Sequence, residues 1–458
     1  MGSPVSLSGF NNIDFNLILN TIMEQERVPV VLLQNNRAGL ERQDSQYSVL
    51  ATKLASLETA TDKLSTAAAF ATRTVSNSDV TAVSAVVTDT TPAGTYDVVV
   101  QELARAQVIA STSTYADTDT TIVASGGTIT IGGVAVTVSG DTTLEGLATA
   151  ITGATGSVVT ASVINSGTNT YRLVLSGNDT GTTNAFTVTT ALTGGAGLTF
   201  ADLDVDGVSG DDASDNAVSA TDAAATINNI AITSATSTLD EAVPGATITL
   251  LKKAPATTVT LTVTRDDEAL KTRVDEFVAS YNDLTTYIDA QFTSAADGAA
   301  SSIGRDGLLR GLRSALRSTV SEAYSVGGTY SYLAEVGIGS DRSGQLTVDA
   351  TLLDDALSTA ASDVESLFVG AGGTDGLFTV LGSLVTGYTE AGGLLPDIQQ
   401  RLDDQVGKID DRIRLLEDQL AIRRSSLEAE FIAADLAIAQ LNTQQTALGA
   451  IGNEFRLF

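Results

Sequence analysis

The residues with the best spacing for chemistry are Asp202-Leu203-Asp204-Val205-Asp206-Gly207, which open like a calcium-binding loop: carboxylates at the first, third and fifth places and glycine at the sixth. The twelfth place is Ala213, so the bidentate acid that would complete the coordination is missing. Alternation gives a second account of Asp202, Asp204 and Asp206, as a strand with Leu203 and Val205 turned inward and the aspartates in water. Asp211-Asp212 and Asp266-Asp267 raise the question of glycoside hydrolysis. That chemistry needs carboxyl groups converging across a cleft, about 5 to 9.5 Å apart, and adjacent acids read instead as solvated turn residues. The glycine pairs of the middle third are not followed by a helix-opening lysine, so they describe turns and not a phosphate cradle. With no His and no Cys, the usual general base, the thiolate nucleophile and the commonest zinc ligands are all missing. The expectation is a protein that is not an enzyme, with no catalytic residue, no cofactor and no metal beyond the weak calcium candidate.

Charge and hydropathy narrow the partners. Against 25 Lys and Arg stand 55 Asp and Glu, a net charge of -30 and a pI near 4.1, which repels phosphate backbones and anionic lipid. Nucleic acid and membrane are therefore excluded as partners, and no apolar run approaches the ~20 residues that span a bilayer. No Lys or Arg precedes Arg27, and Asn11, Asn12, Asp14, Asn16 and Asn20 interrupt the apolar residues, so a cleaved signal peptide is not expected. A secreted chain of this kind would leave by another route, and the absence of Cys suits one that folds without oxidation.

At 458 residues, about two to four domains are expected. From Leu394 to Leu448, apolar residues at Val406, Ile409, Ile413, Leu416 and Leu420 step alternately by three and four, the seam of a helix lying along another helix. Leu427 continues it. Two readings fit: a helix hairpin that covers its own stripe, or a terminal helix kept for partner subunits. Near the other end, Asp14 is a candidate N-cap for a helix holding Leu17, Ile18 and Ile22 and ending near Pro29. Leu33, Leu40, Tyr47 and Leu54 then recur every seven residues with Leu50, Leu57 and Leu64 interleaved, in a helix expected to end before Thr74. Between Arg73 and Lys252 the only basic residues are Arg105 and Arg172, and alternating Thr and Val between glycine turns predict antiparallel sheets. Within them, ITIGGVAVT and TLEGL, from Ile129 and Thr143, are echoed by ATINNIAIT and TLDEAV, from Ala225 and Thr238; each reads as strand, turn, strand, helix start. Helix returns with Leu270, Val274, Phe277, Tyr281, Leu284 and Ile288, and glycines near Gly372 mark a break or linker.

The fold class is therefore α+β and multidomain: an antiparallel helical, coiled-coil stalk built from both chain ends, with inserted β-rich head domains. Its parts are a terminal leg helix (1–35), the first half of the stalk (36–74), a head (75–265), the second half of the stalk (266–393) and a C-terminal leg (394–458). The head divides into about 75–125 with 221–265, and 126–220. Tyr47, Leu54, Leu57, Phe277, Tyr281 and Leu284 are the expected stalk core. Ile13, Leu17, Ile22, Leu33, Leu40, Ile409, Ile413, Leu416, Leu420 and Leu427 are the expected contacts with other subunits.

Four stretches resemble the bacterial flagellar filament cap proteins, the second hook-associated protein family: IDFNLILNTIMEQERVPVVLLQNN from Ile13, YDVVVQELARAQ from Tyr96, FVASYNDL from Phe277, and VGIGSDRSGQLTVDATLLDDAL from Val336. The ITIGG unit also resembles a β module shared among flagellar axial proteins. The resemblance implies a non-enzymatic protein, held by an export chaperone before secretion, that assembles as a ring at the distal tip of the extracellular filament. There it would help exported flagellin insert and fold, and keep it from being lost. The alternatives are a surface adhesin whose head binds host glycan or mucin, a glycan hydrolase, or another flagellar axial protein.

Overall fold

Asp14 starts the first helix, α1 (Phe15–Glu26), its carboxylate accepting the Leu17 amide at 3.0 Å. Pro29 does not close that helix: it lies in the first turn of the next, α2 (Val28–Asp62), where its missing N–H has no intrahelical partner to lose. That second helix ends at Asp62, before Thr74 as expected, and the Ser65 hydroxyl donates to the Asp62 carbonyl in the turn that follows. One further helical turn follows, α3 (Ala68–Ala71). The computed structural model describes residues 14–454, so Ile13 lies outside the described residues. Residues 70–266 form one compact unit, and the segments before and after it form another.

The first of these is the β-rich unit. Its elements are β1 (Arg73–Asn77), β2 (Val83–Val87), β3 (Gly94–Glu102), β4 (Val108–Ala110), β5 (Ile122–Ala124), β6 (Gly126–Ile131), β7 (Val134–Val138), β8 (Thr142–Thr143) and α4 (Leu144–Thr152). They continue through β9 (Val159–Gly167), β10 (Thr170–Gly177), β11 (Val188–Thr193), β12 (Ala223–Ile227), β13 (Ile230–Ser234), β14 (Thr238–Val243), β15 (Ala246–Leu250) and β16 (Ala254–Arg265). One antiparallel sheet runs β1-β16-β3-β12-β13, another β14-β15-β2, and both contribute to a core holding Val83, Val98, Ile227, Ile248 and Leu261. A second core is shared by β4-β10-β9, β11-β6-β7 and α4, with Ile109, Ile129, Leu147, Leu173 and Phe186 inside.

The changeover between the cores falls earlier than position 126. Ile109 and Val123 already pack in the second core, and the chain enters and leaves through a two-strand connection in which Arg105 pairs with Thr221 and Val108 with Val218. The echoed segments are hairpins, β6–β7 and β12–β13, turning on Gly132-Gly133 and on Asn228-Asn229, all four with positive φ as a two-residue turn requires. The echo fails after the second hairpin. Thr143 caps α4 through its hydroxyl, but TLDEAV forms the strand β14, since Glu241 has φ 75° and β15 supplies a ladder.

The helical unit resumes with α5 (Asp267–Ala296), α6 (Gly307–Ser321), β17 (Ile338–Ser340), β18 (Leu346–Val348), α7 (Ala350–Val369), β19 (Gly370–Ala371), β20 (Thr374–Asp375), α8 (Leu377–Thr389) and α9 (Leu394–Glu454). Tyr47, Leu54, Leu57, Phe277, Tyr281 and Leu284 are all buried. The Phe378 ring, on a helix that the sequence reading did not distinguish, meets Phe277 edge-on at 4.7 Å and 89° and Phe368 at 4.7 Å and 77°. The glycine break is a tight hairpin, β19–β20, whose turn residues Gly372 and Gly373 have φ 61° and 85°. It reverses the chain from α7 into α8.

Candidate functional site

The long helices α2 and α9 pack together, and α1 joins them near its start, where Phe15 and Phe431 stack with centroids 5.4 Å apart. Ion pairs at Arg37–Asp410 (3.1 Å) and Arg423–Glu26 (3.4 Å) lie along the same contact. Exposed pairs of this kind contribute at most about 1 kcal/mol each, so the apolar seam holds the helices. Ile413 and Leu427 are buried there, and Ile22, Leu33, Leu40, Ile409, Leu416 and Leu420 are half-buried. The antiparallel run of α2 gives α9 a partner within the chain, and most of the residues expected to meet other subunits keep part of their surface open. Leu17 stays exposed, as do Leu32, Leu415, Ile422 (72%), Leu436, Leu441 (63%) and Leu448. They leave large apolar side chains in water on all three of these helices.

The aspartate triplet is a loop and not a strand. Leu203 and Val205 (82%) point to solvent, contrary to the inward alternation. The carboxylates of Asp202, Asp204 and Asp206 come within 4.8 Å of one another. Asp202 already accepts the amides of Asp206 (3.2 Å) and Gly207 (2.9 Å), while the buried Asp215 accepts those of Leu203 and Gly210. Loss of solvation beside its neighbours, the Asp202 hydrogen bond and the Asp206 charge raise the exposed Asp204 carboxyl above its ordinary range. The twelfth place, Ala213, lies in a short 3-10 turn and offers no carboxylate.

Two amides that the sequence reading gave no role hold the architecture. Asn282 on α5 reaches β18, its Nδ2 donating to Leu346 O (2.8 Å) and its Oδ1 accepting Leu346 N (2.7 Å), as a strand partner would. In the β-rich unit, Gln107 is buried where the chain crosses between the two cores. Its Nε2 donates to Phe186 O and Gly210 O (both 2.9 Å) and to Asn216 Oδ1 (2.7 Å), and its Oε1 accepts Phe186 N (2.6 Å). The signal for both was a lone amide inside an apolar pattern, in stretches that carried the family resemblance.

These stretches are also where known proteins match. The profile of the flagellar hook-associated protein 2 N-terminus matches residues 11–107, and that of the C-terminus residues 220–443. Flagellar hook-associated protein 2 of Escherichia coli is 31% identical, with 98% of each chain covered. The chain belongs to the flagellar hook-associated protein 2 family. The A-type flagellar hook-associated protein 2 of Pseudomonas aeruginosa is 27% identical over 96% of each chain. The crystal structure of the flagellar cap protein of Escherichia coli matches with a TM-score of 0.60 at 30% identity, covering 78% of this chain and 99% of that one. Membership makes the protein a filament cap, a structural component of the extracellular flagellar tip, and among the described residues no helix is long and apolar enough to cross a membrane. The two hook-associated profiles leave residues 108–219 unmatched. That gap begins and ends at the pairing of Val108 with Val218, so the second core is the part of the chain that the family profiles do not describe.

Proposed function

We propose that copies of this cap protein gather as a ring at the filament tip, and that the helical ends engage the uppermost flagellin subunits, promoting insertion and folding of exported flagellin and preventing its loss. The chain works without catalysis, and an export chaperone holds it before secretion. One observation carries the reading: α1, α2 and α9 leave large apolar side chains in solvent, at Leu17, Leu32, Ile422, Leu436 and Leu441, on a chain of net charge -30. Apolar area in water costs about 25 cal/mol per Å², and its repetition along these three helices favours an interaction surface. The partly covered seam adds the means of regripping, since helices with a half-buried interface can exchange neighbours as the filament lengthens. Deleting residues 394–458 tests this. Cells carrying the truncation should lose filament growth and spill flagellin monomer into the medium, while full-length filaments would overturn the role given to the helical ends.

A further inference from the structure

The two open sheet edges of the β-rich unit show how copies can join. In β9, Ala161 has its N–H and C=O satisfied by the Thr152 hydroxyl of α4 (2.9 and 3.3 Å). Two and four residues on, Val163 and Asn165 face Leu173 and Tyr171 of β10. Those two turn their own backbone groups the other way, to Ser111 (2.8 Å) and to Tyr115 (2.8 and 2.9 Å). Antiparallel pairing alternates, so Val163 and Asn165 present their N–H and C=O groups to the open side. They do so beside a groove of about 720 Å³ between α4 and β9, whose lining includes Thr118, Thr149 and Tyr171 and a single charged side chain, Glu145.

The complementary edge is β13. Its hairpin closes with Ile227 opposite Ile230, so Ile230, Ile232 and Ser234 bond to β12, while Ala231 and Thr233 face outward. Ile230 is 68% exposed, and Ile164, on β9, 49%. Natural edges are guarded by charge, proline or a cover, and several here are. The edge strand β14 carries Asp240 and Glu241, β1 begins at Arg73, the Val83 carbonyl of β2 is taken by the Asn77 amide (2.7 Å), and Val188 of β11 exchanges bonds with Ser209. Neither β9 nor β13 contains a charged residue or a proline. The similar strand β7 begins with the half-buried Val134 and has no exposed residue comparable to Ile230. Between copies that each carry a net charge of -30, contact is favoured where charge is missing.

We infer that β13 of one copy pairs with β9 of the next, lying in the groove beside α4 and covering Ile164 and Ile230. The contact uses two different surfaces, so its repetition continues from copy to copy instead of stopping at a dimer, and it closes as a ring where its rotation returns to the first copy. It rests on the ring reading above and names the surface that closes it.

The chain has no Cys, so Ile164→Cys and Ile230→Cys can be introduced singly into the full-length protein, mixed, and treated with a short bis-maleimide. Cross-linked dimer is expected in the mixture and not in either variant alone. Equal cross-linking of the single variants would overturn the pairing by revealing a symmetric contact. Oligomers seen by mass without the cross-link would overturn it and leave the ring standing, whereas a monomer at every concentration would remove both. As a second readout, Val163→Lys or Thr233→Lys, each with an unchanged melting midpoint, should weaken self-association about tenfold; unchanged association would sink the inference.

Discussion

The helical unit and the β-rich unit are stabilised by different means. The helices bury large rings: Phe277, Phe368, Phe378 and Tyr281 fill one centre, and charged side chains crowd the remaining faces. The β-rich unit has two basic residues, Arg105 and Arg172, between Arg73 and Lys252. Its two cores hold β-branched residues, leucines and small side chains with the rings dispersed, and Gln107, Ser111 and Asp215 are buried among them. One unit packs its rings around a single centre, and the other divides its apolar residues between two cores joined at a hydrogen-bonded amide.

The contrast is sharpest where a single side chain is removed. Phe277→Ala should cost the helical unit about 3 to 5 kcal/mol through the cavity it leaves, lowering that unit's calorimetric transition while the β-rich transition holds. Gln107→Ala should do the reverse at smaller size, about 1 to 3 kcal/mol, by stranding Phe186 N–H and buried carbonyls. If both variants moved a single shared transition, the two units would not be separate in stability.

Alkali gives a gentler test. Burial pushes the Tyr281, Tyr287 and Tyr324 hydroxyls up to about 12, and burial together with the Asp306 hydrogen bond raises Tyr47 further. A phenol whose folded pKa lies above its unfolded value of about 10 stabilises the fold fully below pH 10 and stops doing so as pH climbs through the folded value. The helical transition should therefore fall between about pH 10 and 12. The tyrosines differ among themselves. Tyr281 has a buried hydroxyl without a hydrogen-bond partner, so Tyr281→Phe should gain about 1 kcal/mol, and Tyr47→Phe, which breaks the bond to Asp306, should lose about as much. The smallest effect is expected at Asp202, Asp204 and Asp206, where excess chelator should leave the β-rich melting midpoint unchanged.

Legibility followed the same division. The helical core was open to sequence reasoning because a period of three and four residues reports one face of a helix, and Phe277, Tyr281 and Leu284 declared themselves. Which stripe faces a neighbour was not, since Ile413 and Leu427 have the same spacing whether their partner is α2 or another chain. In the sheets, alternation located the hairpins but not the point at which the chain crosses from one core to the other. Ile109 looks like any strand valine or isoleucine until Gln107 and the Arg105–Thr221 pairing place it. TLDEAV misled for a related reason: a two-turn echo cannot override the backbone hydrogen bonds that β15 offers.

The pairing of Arg105 with Thr221 sets the entrance and exit of the second core side by side. Closing a chain across neighbouring points costs little more for a long detour than for a short one, about 0.6 kcal/mol per doubling. What lies beyond that doorway is thus free to be enlarged, replaced or dropped with the sheet that carries it left undisturbed.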